Sequence, residues 1–328
     1  MNSFDKLKTW LKVKNDNLRM FEKDSRGLYS IKDIKKGTII MQIPCKYLIE
    51  LSTVSKSITY NFDNTNSTIA AYLLLESVNQ KSKWNKYLDT FPKELSEYIH
   101  FYKKDKTCLL KNSSIMCKDS INIKDIIKEI TNDGNIFYEL LKNKNELPKD
   151  YLEIKDFIEL FIKFRIYVDS RIFGYTKYHK DESALVPYAD LLNHSNKSNT
   201  YWYFDDTKKS FIVQATEDIP KNTEIFDSYG SKTNIQLIIY YGFSIKNNPY
   251  SKLSFSYKNN LIELNKKSDL ESILYEYNLY KYKKHIIELL KKKLLLHTEN
   301  IQKTDDYNIR NILHDDIMII KKMLNRFF

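Results

Sequence analysis

Cysteine is rare in this chain, and the three present, Cys45, Cys108 and Cys117, include no pair at the CxxC spacing of a zinc site. Their odd number makes a poor disulfide framework and points to a reducing compartment. Long apolar runs are missing too. The longest unbroken one, Ile69 to Leu75, is far too short to span a bilayer. Residues 1–14 mix Lys, Asp and Trp and hold no apolar signal core. A soluble, intracellular protein is expected, with no membrane partner. Glycine and proline number only six each, while Asn, Lys, Ile and Tyr are heavily used. That is the bias of an AT-rich genome, and it dilutes propensity arguments. Catalytic signatures are also absent: there is no Walker A loop, no GxGxxG after a strand, no HExxH, no GxSxG and no kinase set. The six histidines, His100, His179, His194, His285, His297 and His314, fall without metal spacing. Phosphoryl transfer, serine hydrolysis and zinc hydrolysis lose weight accordingly.

What is there has globular proportions, 42% hydrophobic and 29% charged among 328 residues. The formal charge of +11 could meet nucleic acid, an anionic membrane or an acidic protein. No Arg-rich arm or RNA-binding signature accompanies it, so it reads as a Lys-rich solvated surface. Cytoplasmic residence is expected over nuclear, and lysine clusters such as Lys291-Lys292-Lys293 do not decide between them in so Lys-rich a chain.

Residues 1–18 predict a short leading helix. Extended runs follow at Gly27–Ser30 and Thr38–Ile43, joined by the turn Asp33-Ile34-Lys35-Lys36-Gly37 and ended by Pro44. From about 45 to 184 the character is helical. Ser67 or Thr68 is the expected cap of a helix through Leu75. Trp84, Tyr87 and Leu88 share a helical face. Phe157, Leu160, Phe161, Phe164 and Val168 place a helix from Ile154 to about Phe173, with Pro148 suiting its start. Trp202 and Phe204, then Phe211 and Val213, alternate about Asp205-Asp206 and predict a hairpin. After Pro249 the chain is expected to turn helical, with one apolar stripe through Ile309, Ile312, Leu313, Ile317, Ile320 and Leu324. One echo stands out: Asp33 to Ile40, DIKKGTII, recurs as Asp218 to Ile225, DIPKNTEI. Asn222 replaces Gly37, and both types tolerate the left-handed backbone. The echo predicts one β domain split by a helical insertion.

The most unusual stretch is Pro187-Tyr188-Ala189-Asp190-Leu191-Leu192-Asn193-His194-Ser195, followed by Ser228-Tyr229-Gly230 and Tyr240-Tyr241-Gly242-Phe243. In this order, behind Ser25-Arg26-Gly27-Leu28 and the DIKKG turn, these segments resemble the SET-domain methyltransferases. The branch is that of the Rubisco large-subunit lysine methyltransferase and the actin-histidine methyltransferase. Trp84-Asn85-Lys86-Tyr87-Leu88 with Pro92, and Val168-Asp169-Ser170-Arg171, are weaker matches. The likeness covers roughly residues 17–249. Ser25 stands where the opening motif often carries Gly, and the tail after Pro249 is short for the family.

The resemblance implies an α+β SET fold: small sheets with a threaded, pseudoknot-like C-terminal motif, interrupted by a helical insertion and followed by a helical C-terminal region. The implied division is a leading helix (1–16), a SET domain (17–249, insertion about 45–184) and residues 250–328 as a truncated substrate-binding domain. The implied reaction moves a methyl from S-adenosyl-L-methionine to a protein lysine, leaving S-adenosyl-L-homocysteine. Tyr229 would align the methyl with the incoming nitrogen. Arg26, Gly27 and Leu28 would cradle the cofactor with backbone. Asn193 and His194 would bind it, His194 largely through its backbone. Arg171 would meet its carboxylate, Asp190 would fix the loop or the target-side pocket, and Tyr241 and Phe243 would wall the adenine or the lysine channel. No zinc is implied, since the post-SET cysteine cluster is absent. A monomer acting on a protein substrate is expected. The motifs leave three alternatives open: histidine methylation, a silent SET fold used for binding, and a basic nucleic-acid-binding protein.

Overall fold

The computed structural model describes residues 2–13, 17–21, 26–54, 58, 62–110, 113 and 123–325. Met1, residues 14–16, Ser25 and Cys117 lie outside them. The strands in chain order are β1 (Leu18–Phe21), β2 (Gly27–Ser30), β3 (Ile39–Pro44), β4 (Ile49–Glu50), β5 (Ile172–Lys177), β6 (Lys180–Leu185), β7 (Asn193–His194), β8 (Thr200–Asp205), β9 (Ser210–Ala215), β10 (Phe226–Asp227), β11 (Lys252–Tyr257) and β12 (Asn260–Asn265). They form small sheets ordered β1-β2, β3-β9-β8, β4-β6-β5, β7-β10 and β11-β12. The chain divides into two compact units, Met1–Lys93 with Ile130–Gly230, and Glu94–Glu129 with Ser231–Phe328.

In the first unit the expected hairpin is present: Trp202 pairs with Val213 and Phe204 with Phe211 across β8 and β9. The echo has a structural meaning. Ile34 and Ile219 exchange backbone hydrogen bonds, each of 2.8 Å. Asp218 Oδ1 accepts from Lys36 N at 2.9 Å, and Asp33 Oδ1 accepts from Lys221 N at 2.8 Å. The two copies therefore pair reciprocally about a local pseudo-twofold. Both turns use the left-handed region, with φ +81° at Gly37 and +64° at Asn222.

Several expectations need correction. The leading helix is Ser3–Leu11, closed by Lys12 at φ 55°, and Leu18 already opens β1. The helix expected to start at Ser67 or Thr68 spans Thr65–Val78. Asn64 caps it, its Oδ1 accepting from Asn66 N and Ser67 N. The helix expected to reach Phe173 spans Ile154–Asp169, starting well after Pro148. Beyond it, Phe173 and Tyr175 alternate as buried residues of β5. The insertion is thus not all helical, since β4, β5 and β6 form a sheet in it. Residues 250–328 likewise open with the β11–β12 hairpin, not a helix.

In the second unit, Leu253 and Phe255 of β11 and Ile262 and Leu264 of β12 pack with Leu270, Leu274, Leu290 and Ile320 into one core. The helices Lys283–Ile301 and Tyr307–Leu324 follow. The whole predicted stripe from Ile309 to Leu324 is buried. Each such side chain contributes about 1.5–3 kcal/mol of transfer free energy. Among the described residues, no helix is long and apolar enough to cross a membrane.

Candidate functional site

β7 and β10 are two-residue strands that pair in parallel, Asn193 with Phe226 and His194 with Asp227. Parallel neighbours need a crossover, and the β8–β9 hairpin lies between them in the chain. The later segment is fastened from both sides. Asn199 Nδ2 donates to Glu224 O at 2.9 Å while its Oδ1 accepts from Phe226 N at 2.8 Å. Thr200 Oγ1 donates to Phe226 O, and Ser195 N donates to Asp227 O. Upstream, buried Tyr188 sits at φ +82°, a conformation costly for a residue with a Cβ. It feeds the single turn Ala189–Leu191 that leads into β7.

This pairing sets Tyr229 over His194. The Tyr229 hydroxyl donates to Leu192 O at 2.7 Å, and its backbone N–H donates to His194 Nδ1 at 3.0 Å. The two rings stack with centroids 5.1 Å apart. An Nδ1 that accepts carries no proton, so this bonding assigns the hydrogen to Nε2, which faces Asn196 Oδ1 at 3.2 Å. Burial lowers the His194 pKa, consistent with a neutral ring. Asp227 beside it is pushed up to about 6 by burial, which outweighs its bonds from Ser228 N–H and the Trp202 side chain.

A second strand of the site comes from β2. Asn193 Nδ2 donates to Arg26 O at 2.6 Å and to Glu224 Oε1 at 2.8 Å. Tyr29 OH donates to Glu224 Oε2 at 3.0 Å, and Ile225 N donates to Leu28 O at 2.8 Å. A Cβ on Gly27 would strike the Glu224 carboxylate and come within 3.1 Å of Asn193 Nδ2. Glycine here lets the backbone approach an amide and a carboxylate too closely for any side chain.

A third group is buried. Arg171 Nη1 lies 3.2 Å from Asp190 Oδ2, both side chains almost fully enclosed. The Arg171 guanidinium also faces the Phe91 ring at 4.9 Å. Tyr87 OH donates to the same Asp190 oxygen at 2.6 Å. Burial first, and the Asp190 charge second, raise the Tyr87 phenol well above its ordinary range, so it remains a donor.

Of the predicted residues, Gly27, Leu28, Asn193, His194 and Tyr229 converge, with Arg26 contributing its carbonyl. The Arg26 side chain turns to Thr90 O instead. Arg171 and Asp190 form the buried pair. Tyr241 and Phe243 belong to the second unit. Their rings lie 6.3 Å apart about Gly242, which caps the helix Asn234–Tyr241 at φ +77°. Sequence reasoning missed Glu224. Its signal was the echo itself, because Glu224 stands where the first copy has Ile39. Tyr87 lay in the weaker match Trp84–Leu88, which gave no hint of its partner Asp190. Among the described residues, no cluster of three His, Cys, Asp or Glu side chains could hold a metal.

A family model described as SET domain matches residues 25–230. The chain is 25% identical over 232 residues to a ribosomal lysine N-methyltransferase of Schizosaccharomyces pombe, covering 68% of this chain and 40% of that protein. It is 27% identical over 269 residues to SET domain-containing protein 4 of Artemia parthenogenetica, covering 76% and 64%. It is 24% identical over 253 residues to the actin-histidine N-methyltransferase of Rattus norvegicus, covering 71% and 40%. The chain thus spans less than two thirds of the length of these relatives. The SET domain of LSMT bound to lysine and AdoHcy superposes with a TM-score of 0.66 at 13% identity, over 99% of this chain and 90% of that one. Rubisco LSMT bound to AdoMet gives 0.64 at 14%, over 100% and 92%.

Proposed function

Because the chain belongs to the SET-domain family, we propose that it is an S-adenosylmethionine-dependent protein methyltransferase whose acceptor is a lysine side chain. The observation that carries this reading is the β7–β10 junction, which gathers Asn193, His194 and Tyr229 against the Arg26–Leu28 backbone. The residues present fit the cofactor. Gly27 lets the backbone lie directly against the Asn193 amide and the Glu224 carboxylate, with no side chain in the way. The Arg171–Asp190 pair offers one cation and one anion side by side, as a zwitterionic amino-acid end requires.

When bound, S-adenosyl-L-methionine supplies a methyl group on a sulfonium. Arg26, Gly27 and Leu28 line its site with backbone, and Asn193 and the His194 backbone hold it. Arg171 and Asp190 meet its amino-acid end. Tyr229 orients the acceptor nitrogen. Alignment of this kind replaces general-base catalysis as the main source of rate. The acceptor must be neutral, and a lysine amine, with a pKa of about 10.4 in water, loses its proton more readily when desolvated beside a cation. His194 Nδ1 is occupied by the Tyr229 N–H, which argues against His194 as the base. Residues 250–328 serve target recognition as a substrate-binding region.

The test is incubation with methyl-labelled S-adenosylmethionine and whole-cell extract. A discrete protein band should label with the wild type and fade with Tyr229→Phe and Asn193→Ala. Mass spectrometry of that band should find methyl-lysine. Methyl-histidine there would replace the lysine assignment, a reading favoured by the actin-histidine relative. A wild type that binds no cofactor would sink the enzyme reading.

A further inference from the structure

Tyr87 sits fully buried on the one-turn helix Asn85–Leu88, in a weaker match to which no part of the proposed chemistry was assigned. Its hydroxyl and Arg171 Nη1 converge on one oxygen of Asp190, Oδ2, at 2.6 and 3.2 Å. The other oxygen, Oδ1, is buried and has no hydrogen-bond partner among the described residues. An unmet buried acceptor is costly unless something else donates to it. Two donors on one oxygen also fix the carboxylate's rotation, so Oδ1 has a set direction.

Tyr87 is itself held from several sides. Thr90 Oγ1 donates to Tyr87 O at 2.7 Å, and the Arg26 guanidinium donates to Thr90 O. Tyr167 OH donates to Pro92 O at 2.7 Å. Phe91 packs edge-on against Tyr87 at 4.9 Å and faces Arg171 at 4.9 Å. The segment 84–92 is therefore locked to Arg26, Arg171 and Asp190 together.

Resting on the methyltransferase reading above, we propose that Tyr87 is a positioning residue of the cofactor site. It turns the Asp190 carboxylate so that Oδ1 accepts a hydrogen bond from the ammonium of the cofactor's amino-acid end. An ammonium and a carboxylate on one ligand match an adjacent Asp and Arg. A lysine acceptor side chain brings only a cation, and the adenosine portion brings neither charge.

The test is calorimetric titration with two probes. S-adenosylhomocysteine carries the amino-acid end, and methylthioadenosine lacks it. Tyr87→Phe keeps the ring and removes the donor. It should weaken S-adenosylhomocysteine about 10-fold and leave methylthioadenosine within twofold. Asp190→Asn should show the same selectivity, which keeps the claim testable should Tyr87→Phe not fold. In the Asp190→Asn background, Tyr87→Phe should cost little more. Equal loss of both probes, or loss of neither, overturns the role of Tyr87 while the wild type still binds both. A wild type that binds neither probe overturns the methyltransferase reading instead.

Discussion

A single hydrogen bond, from Tyr229 N–H to His194 Nδ1, ties the proposed catalytic tyrosine to a ring that must stay neutral. Tyr229→Phe keeps that backbone bond and loses the hydroxyl's contact with Leu192 O. Transfer should fall about 100-fold with little change in S-adenosylhomocysteine affinity, as single-turnover labelling and titration would read. A larger loss of affinity than of rate would make Tyr229 a binding residue only. Asp227 gives a pH prediction. Its folded pKa is raised from 3.8 to about 6 by burial. Below about 4 both folded and unfolded chains hold the proton, and its contribution is fully present. As pH rises through 6 the folded state must ionise a buried carboxylate, and on the order of 3 kcal/mol is lost. His194, shifted down, has the opposite sign: stability present above 6.5 is lost as pH falls through its lowered pKa. The difference between wild type and Asp227→Asn isolates the carboxylate. Urea unfolding from pH 4 to 7 should show Asp227→Asn gaining on the wild type as pH rises. A constant difference would mean that Asp227 titrates normally.

At the level of turns and strands, glycine scarcity explains what could be read and what could not. The hairpin β8–β9 was legible from its alternating aromatics. The hairpins β5–β6 and β11–β12 were not, because their two-residue turns are Tyr178-His179 and Lys258-Asn259. Both residues of each turn have positive φ, at 49° and 63°, and at 46° and 64°. Such turns usually advertise themselves as Asn-Gly or Asp-Gly. Here three of the four residues give no turn signal, so the neighbouring helical pattern ran on through them in the sequence reading. The echo was legible because its spacing carries a backbone demand. Gly37→Ala should cost about 1–2 kcal/mol in urea unfolding, whereas Asn222→Gly should cost little. Equal costs at both positions would mean that the two turns are not equivalent. In the second unit, Leu313→Ala, on the fully buried stripe, should cost about 2–5 kcal/mol.

Over the whole molecule, the candidate site was legible where one short motif holds several of its groups, as in Asp190, Asn193 and His194. It was illegible where the insertion itself contributes a partner: Tyr87 meets Asp190 from 103 residues away. The charge of +11 was equally ambiguous, since it suits a polyanion as well as a solvated surface. Thermal unfolding with two ligands separates these. A ligand that binds only the folded chain stabilises it by about 2.7 kcal/mol at 100 times its Kd, or roughly 5–10 °C for a unit of 150–250 residues. S-adenosylhomocysteine should produce that shift in 50 mM and in 200 mM salt alike, because Arg171 and Asp190 lie buried and are little screened. Asp190→Asn should shrink it. Random duplex DNA should shift the transition only at low salt, if at all, as phosphate contacts made by surface lysines are lost steeply between those two conditions. The reverse pattern, a salt-resistant shift with DNA and none with S-adenosylhomocysteine, would move the basic surface from solvation to function and remove the cofactor from the site.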